Sequence, residues 1–240
     1  MDAASLAPRG ELRAAINFGN PVLAGRDETG APAGITVDIA RELGKRLGRP
    51  ITLVPFDQAG QVADAASEDR WDVAFLAIDP KRAESIAFTA PYVLIEGAFA
   101  VPASSPIKSV ADADREGIRI AVIEKSAYDL FLTRTLKHAT LLRGGDDSAT
   151  VARFHDEKLD VLAGVRQPLA AYVAKYTDLR MVPGRFMAIE QAVGIPVARV
   201  AALPALRAFV EELKVSGFIA AALARHKQLD AEVAPAATTP

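Results

Sequence analysis

The segment 71–92 contains the residues whose types and spacing are best suited to chemistry. It opens with an apolar run, 73–78, that is typical of a buried strand, and it then places Arg82 in a short helical turn after Asp79-Pro80. Asp79 can cap that turn, and Pro80 suits its first position, where the missing N–H is not needed. Arg82 would then lie beside the carboxyl end of a strand, where open α/β sheets bind ligands. Its planar fork of donors suits a carboxylate, although the same spacing also fits a plain surface arginine.

The composition excludes several classes of function. The 240 residues are 50% hydrophobic and 24% charged, with a formal net charge of −2, which fits one large domain or two lobes. Positively and negatively charged residues are scattered along the chain without a basic run, so the sequence gives no electrostatic indication of nucleic-acid binding. The lack of cysteine excludes disulfides, thiolate catalysis and Cys-ligated metals, and the three histidines have no metal-ligand spacing. We therefore expect no metal, no cofactor and no nucleic-acid partner.

The two ends of the chain carry weaker signals. The first residues lack the charged-then-apolar pattern of a signal peptide, and an acidic residue after Met followed by small residues would also result from expressing a mature secreted protein. No apolar stretch approaches the roughly 18 to 20 residues needed to cross a bilayer. The small, Pro-rich residues 231–240 predict a disordered tail.

The elements that position Arg82 form two similar α/β series. The first series has a glycine-punctuated hairpin over 25–34, strands at 12–18, 51–56 and 73–78, and helices at 35–47 and 62–66. A turn at Pro91-Tyr92 and an exit strand from Gly97 follow. The second series has strands at 118–124, 139–144, 159–164 and 179–183, and helices at 126–136, 148–157 and 168–176. A strand at 192–199 and a continuous helical run over 203–226 complete the chain. This alternation predicts an α/β fold with mostly parallel sheets, and a cleft between two such lobes is a frequent ligand site.

Several segments together resemble a known family. They are G-I-T-V-D-I-A-R-E-L-G-K-R-L-G, W-D-V-A, D-P-K-R-A-E-S-I-A-F-T-A-P-Y, A-V-G-I-P-V and L-R-A-F-V-E-E-L-K-V-S-G-F-I, in that order. The chain resembles the family 3 extracellular solute-binding proteins of polar amino-acid ABC importers over about 12–226. The resemblance implies the two-lobe periplasmic binding protein fold (type II) with two crossover strands. Lobe 1 would comprise 1–98 and 187–230, and lobe 2 would comprise 99–186.

The same resemblance implies a function and a ligand site. Arg82 would hold the ligand's carboxylate, and the start of a lobe-2 helix at Ser126 and Ala127 would offer backbone N–H groups to it, as helix N-termini do for anions. Ser126 also fits a plain helix N-cap, and the two roles are compatible. The protein would be a periplasmic or extracellular monomer without its signal peptide. It would close around its ligand and pass it to a membrane permease.

One departure from the family concerns the ligand's ammonium. Amino-acid binders carry an aspartate after the strand that corresponds to 159–163, but here Gly164, Val165 and Arg166 follow it. Because a buried ammonium needs a counter-charge, either Asp79, Glu96 or Glu124 substitutes, or the ligand is not an ordinary α-amino acid. Arg166 facing the same cleft as Arg82 would favour a dicarboxylate. The alternative for Arg166 is a solvated loop residue.

Other departures concern the pocket wall. Family members often have Ser or Thr before the arginine, whereas this chain has Phe75-Leu76-Ala77-Ile78, so Ala77 would add an apolar surface and its carbonyl could accept a hydrogen bond. Phe18 and Phe56 could cover an apolar or π-bearing part of the ligand, or they could belong to the core. Tyr128 and Tyr92 are candidates for polar aromatic contacts, and Tyr92 could also pack under the Pro91 turn.

Two other functions fit the same fold. Some members of the fold are dehydratases acting on prephenate-like acids, which need a carboxyl of raised pKa at the leaving group. The position where that acid would stand again reads Gly164-Val165-Arg166, so we predict no catalytic residue. A binding protein read by a receptor rather than a permease is the third possibility.

Overall fold

The computed structural model describes residues 3–237, which divide into two compact units. Unit 1 contains the described residues up to Leu94 and those from Glu190 onward, and unit 2 runs from Ile95 to Ile189. The sequence predicts these boundaries at 98–99 and 186–187. Both divisions fall inside strands, so the chain passes from one unit to the other in extended conformation.

The strands and helices alternate along most of the chain. The strands are β1 (Leu12–Asn17), β2 (Gly25–Arg26), β3 (Pro32–Ala33), β4 (Ile51–Phe56), β5 (Val73–Ala77), β6 (Ile86–Pro102), β7 (Arg119–Ile123), β8 (Thr140–Gly144), β9 (Val161–Val165), β10 (Leu179–Met181), β11 (Met187–Pro196) and β12 (Glu232–Val233). The α-helices are α1 (Ala3–Leu6), α2 (Ile35–Leu47), α3 (Ala59–Asp64), α4 (Ala127–Thr135), α5 (Asp147–Asp156), α6 (Arg166–Val173), α7 (Leu203–Val215) and α8 (Phe218–Arg225).

The sheet of unit 1 has a parallel centre. Strand β1 pairs in parallel with β4 on one side and with β5 on the other, and β11 pairs antiparallel with β5. Because β1, β4 and β5 run the same way, their carboxyl ends meet at one edge of this sheet. The loops that follow these three strands therefore come together, and Arg82 lies in one of them.

Helix α2 shows how the sequence fixes the ends of an element in unit 1. Gly34 precedes it with φ of 123°, and a Cβ there would lie 2.4 Å from the Leu23 carbonyl oxygen, so a side chain does not fit. Gly48 ends the helix in the left-handed conformation, and its N–H donates to carbonyls of the last turn. The helix covers the range that the sequence predicts, because its apolar spacing and its glycine stop agree.

A buried ion cluster fastens the start of β1. The Arg13 guanidinium donates to the Asp72 carboxylate from Nε at 3.1 Å and from Nη2 at 2.9 Å, and the Arg13 backbone N–H donates to the same group at 2.8 Å. Arg199 and Asp69 complete the cluster. The Asp72 side chain is fully buried. This cluster joins β1, the loop before β5 and the residues after β11.

The sheet of unit 2 repeats the parallel arrangement. Strand β7 pairs in parallel with β8 and β9, and the second part of β6 pairs antiparallel with β9 and β10. Apolar side chains of β6, β7 and β9 pack against α4 on one face, and those of α5 and α6 pack on the other. Helices α4, α5 and α6 all begin at the carboxyl edge of this sheet, directly after β7, β8 and β9.

Three sequence predictions about elements are wrong. Pro91 and Tyr92 lie inside the continuous strand β6, not in a turn. The helical run 203–226 is interrupted by Gly217, which has φ of 78° and separates α7 from α8. Glu232–Val233 form β12 on the edge of β6 rather than part of a disordered tail, because Lys214 donates to the Pro235 carbonyl and holds the segment down. Residues 238–240 lie outside the described residues.

Candidate functional site

Arg82 is buried at the carboxyl edge of the unit 1 sheet. The residue is 3% exposed and begins a short 3₁₀ helix, Arg82–Glu84. Its Nη1 donates to the carbonyl oxygen of Ala77, the last residue of β5, at 3.1 Å. Asp79 organises the intervening turn, since its side chain accepts the Lys81 N–H at 2.8 Å and its carbonyl accepts the Ala83 N–H at 2.9 Å. The side chain of Arg82 is therefore held at the sheet edge and is not a surface arginine.

The electrostatic environment of Arg82 is unusual for an arginine. Burial, which weakens hydration of the charged form, lowers the pKa of Arg82 to about 10, and the nearby negative charge of Asp79 only partly opposes this. The guanidinium is still ionised at neutral pH. A desolvated cation beside one carboxylate has a strong preference for a further anion, because that anion would replace the lost hydration.

Phe18 lies at the same edge, directly after β1. Its N–H donates to the carbonyl oxygen of Phe56 at 2.9 Å, and its ring is half-buried. The guanidinium of Arg26 lies over this ring, with Cζ 4.5 Å from the ring centroid. Phe56 itself is 4% exposed and packs in the core of unit 1. Of the two phenylalanines that the sequence proposes as a platform, only Phe18 is partly accessible.

Tyr92 is a buried strand residue. It is fully inaccessible to solvent in β6, and its ring contacts the ring of Phe75 edge-on, with the centroids 6.3 Å apart. Burial raises the pKa of its phenol well above the ordinary value. Its hydroxyl oxygen has no hydrogen-bond partner among the described residues. The side chain packs in the interior of unit 1, so the structure supports a packing role for Tyr92 and not a polar contact with a ligand.

In unit 2 the start of α4 is tightly organised. Ser126 is its N-cap, and the Ser126 Oγ accepts the Asp129 N–H at 3.0 Å. The Asp129 carboxylate in return accepts the Lys125 N–H at 2.9 Å and receives Nε of Arg143 at 3.0 Å. The first N–H groups of the helix, including that of Ala127, point along its axis beyond the sheet edge. Such a fixed helix start can donate to an anion.

Two features of this helix start could not be predicted from the sequence. Lys125 adopts φ of 56°, a left-handed conformation that costs a non-glycine residue about 1 kcal/mol or more. No local residue type signals that strain. Tyr128 is 6% exposed, and burial raises the pKa of its phenol above its usual range, so its ring belongs to the core beneath α4.

Arg166 is engaged by groups of its own unit. Its Nε donates to the Glu96 carboxylate, and its Nη2 donates to the Gly184 carbonyl oxygen at 2.5 Å. Arg185 donates to the other oxygen of Glu96 at 3.2 Å. Burial opposes the ionisation of Glu96, yet hydrogen bonds and charge from Arg166 and Arg185 hold the pKa of Glu96 below its ordinary value. Arg166 is thus an ion-paired residue, not the solvated loop residue that was its alternative.

The acids considered for a ligand ammonium have different surroundings. Glu96 is occupied by two arginines, and Asp79 is 2% exposed beside Arg82. Glu124 is exposed, and its N–H donates to the Gly144 carbonyl oxygen at 2.9 Å. Asp147, the first residue of α5, is a further acid that the sequence did not single out. Partial burial of its carboxyl group and the neighbouring Asp146 raise the pKa of Asp147.

Other kinds of site are not evident in the described part of the chain. Residues 3–237 contain no group of three His, Cys, Asp or Glu side chains arranged for a metal ion. Within the same residues, none of the helices is both long and apolar enough to cross a bilayer.

Comparison with known proteins identifies a family and a fold. The sequence model of the bacterial extracellular solute-binding proteins, family 3, matches residues 12–228. The solute receptor for L-cysteine of Neisseria gonorrhoeae has a TM-score of 0.79 at 21% identity, covering 94% of this chain and 93% of that one. A mutant of ArgBP from T. maritima has a TM-score of 0.77 at 21% identity, covering 95% and 100%. The predicted resemblance and fold class, type II periplasmic binding protein, are confirmed.

A curated relative adds a second activity to consider. Cyclohexadienyl dehydratase of Pseudomonas aeruginosa is 27% identical over 158 residues, which cover 64% of this chain. The match spans only 58% of the length of that relative.

Proposed function

Because the chain belongs to family 3 of the bacterial extracellular solute-binding proteins, we propose that it captures a small carboxylate-bearing metabolite for an ABC importer. The ligand would be an amino acid or a related organic acid. Binding would take place outside the cytoplasmic membrane, and a permease would receive the ligand. The resemblance to amino-acid binders of known structure supports the ligand class.

The observation that carries this proposal is the buried Arg82. A 3%-exposed guanidinium that is anchored to the Ala77 carbonyl is fixed in direction, which suits the two parallel hydrogen bonds by which an arginine holds a carboxylate. The apolar side chains of Phe75 and Leu76 precede it in β5. The organised N-terminus of α4, at Ser126 and Ala127, remains the predicted second contact for the same carboxylate.

Substitution of Arg82 tests the proposal directly. Thermal-shift screening of amino acids, keto acids and dicarboxylates should first identify a ligand through the increase in melting temperature that binding produces. Calorimetry should then show that Arg82→Gln weakens the binding of that ligand by at least about 2 kcal/mol, roughly thirtyfold, because a charge-assisted partner is lost. Arg82→Lys keeps the charge but not the fork, and we expect an intermediate loss.

The matched control is Arg49→Gln. Arg49 is an exposed arginine of unit 1 that follows the end of α2, so its loss should leave affinity unchanged. If Arg82→Gln folds normally and binds as tightly as the native protein, the proposed site is wrong.

A second candidate function is dehydration of a prephenate-like acid. It is favoured by the similarity to cyclohexadienyl dehydratase, and Asp147, whose pKa is raised by partial burial and the neighbouring Asp146, is the candidate acid. Incubation with prephenate or arogenate, followed by detection of an aromatic product, tests it. Product formation that is lost in Asp147→Asn would show that the protein is a dehydratase and contradict the binding role. The absence of product at high protein concentration would contradict the dehydratase function.

A further inference from the structure

Arg26 is a second fixed cation at the ligand edge of unit 1. Its guanidinium stacks on the ring of Phe18 at 4.5 Å, and its Nη1 donates to the Gly30 carbonyl oxygen at 3.0 Å across the β2–β3 turn. The residue as a whole is exposed. Two contacts thus fix the orientation of a side chain that would otherwise be mobile in solvent.

The charge of Arg26 is not matched by an acid. Among the ion pairs formed within residues 3–237, none includes Arg26, and its hydrogen bond goes to a neutral carbonyl. Arg166 differs in this respect, because it is ion-paired with Glu96, which it shares with Arg185. Arg26, which the sequence did not single out, is therefore an arginine of this edge without an acidic partner among the described residues.

The strand register relates Phe18, which supports Arg26, to Ala77, which anchors Arg82. Strands β1 and β5 pair in parallel with Ala14 opposite Val73 and Ala15 opposite Ala74. Continuing this register along β1 brings Phe18 level with Ala77, whose carbonyl accepts the Arg82 hydrogen bond. Adjacent strands lie about 4.8 Å apart, so the backbones of Phe18 and Ala77 are neighbours on the same sheet edge, and Arg26 and Arg82 are each one contact away from them.

This pair of guanidiniums suits a ligand with two negative groups. Stacking occupies one face of the Arg26 guanidinium and leaves its edge donors available, and a guanidinium fork binds a carboxylate through such donors. Because the side chain is already oriented, it loses little conformational entropy on binding. We infer that the ligand is a small dicarboxylate, with one carboxylate held by Arg82 and the second by Arg26 on its Phe18 platform. This inference rests on the proposed carboxylate-binding function and specifies its ligand class.

The experiment compares matched ligands that differ in one negative charge. Calorimetry would measure glutarate against pentanoate, and L-glutamate against L-glutamine, on the native protein and on Arg26→Gln. In at least one pair, the native protein should bind the ligand with two carboxylates at least about tenfold more tightly than the ligand with one. A tenfold difference corresponds to the free energy of one hydrogen bond to a charged group. In the Arg26→Gln variant, the affinities for the two ligands of that pair should differ by less than about threefold, and the affinity for the ligand with one carboxylate should be unchanged.

Further variants separate this inference from its alternatives. Phe18→Leu removes the platform but keeps the charge and should reduce the preference only in part, whereas Arg49→Gln should not change it. Equal binding of diacids and monoacids by the native protein would overturn the inference and leave Arg82 as a carboxylate site. So would a preference that survives in Arg26→Gln and disappears in Arg166→Gln. Failure of both diacids to bind while the screen identifies a monocarboxylate would overturn the inference alone, whereas the absence of any ligand in the whole screen would contradict the proposed function as well.

Discussion

At the scale of single residues, the three arginines considered for the ligand differ because of their surroundings, not because of their chemistry. Arg82 is desolvated, Arg166 is ion-paired with Glu96, and Arg26 is stacked on an aromatic ring while exposed to solvent. A desolvated guanidinium gains most from a further anion, an oriented one without an acidic partner loses little entropy in binding one, and one that is already ion-paired gains least. Burial and pairing therefore decide which arginine is available for a ligand.

The burial of Arg82 predicts a conflict between stability and binding. Because burial lowers its pKa to about 10, the ionised guanidinium opposes folding at neutral pH. We expect the double variant Arg82→Met with Asp79→Asn, which removes both buried charges and keeps an acceptor for the Lys81 N–H, to be between neutral and about 3 kcal/mol more stable than the native protein. The same variant should lose ligand binding. Urea unfolding measures the stability, and a clear decrease in the unfolding free energy would show that Arg82 is mainly a structural residue.

At the scale of elements, the cluster around Asp72 is the main polar fastening of unit 1. Burial raises the pKa of Asp72, but hydrogen bonds from Arg13 and Arg199 outweigh this and hold the pKa below its ordinary value. A carboxylate whose pKa is lowered by folding stabilises the native state above the unfolded pKa of about 3.9. That contribution is lost as the pH falls through the lower pKa of the folded state. The cluster should therefore contribute to acid unfolding.

Asp72→Asn tests this contribution. At pH 7 we expect the unfolding free energy to fall by about 3 kcal/mol, because two arginines lose their shared buried counter-charge. The difference between the variant and the native protein should begin to shrink as the pH falls below about 4, where the unfolded-state carboxylate becomes protonated, and should be lost as the pH falls through the lower pKa of the native carboxylate. Denaturant unfolding at a series of pH values measures both effects. A difference that is independent of pH would assign the effect to packing instead of charge.

At the scale of the whole molecule, the surface predicts a monomer. The described residues have few large exposed apolar side chains, and these are Tyr176, Val197, Val200, Val215 and Leu229, from several separate segments. Large contiguous apolar patches are what stable interfaces require. Light scattering during size exclusion should therefore give a mass near 25.4 kDa with and without ligand. A dimer that dissociates in Val200→Ser would contradict this expectation and locate the interface.

The sequence by itself determined the order of elements, the α/β class and the family. Hydrophobic period, glycine stops and the D-P-K-R segment are local features, and they are as visible in the chain as in the fold. Prediction from the sequence failed at Pro91-Tyr92, where strand pairing overrode a turn signal. It also failed at Gly217, a single glycine in an apolar helical pattern that ends one helix and begins the next.

Only the tertiary structure decided which polar groups are available for a ligand. Pairing of Arg166 with Glu96 joins residues that are 70 positions apart, and the stacking of Arg26 on Phe18 joins a hairpin to a strand end. Burial of Arg82 depends on neighbouring strands in the same way. Desolvation and ion pairing are properties of what surrounds a side chain in space. The sequence therefore supplied the candidate residues, and packing set the charge that each one presents.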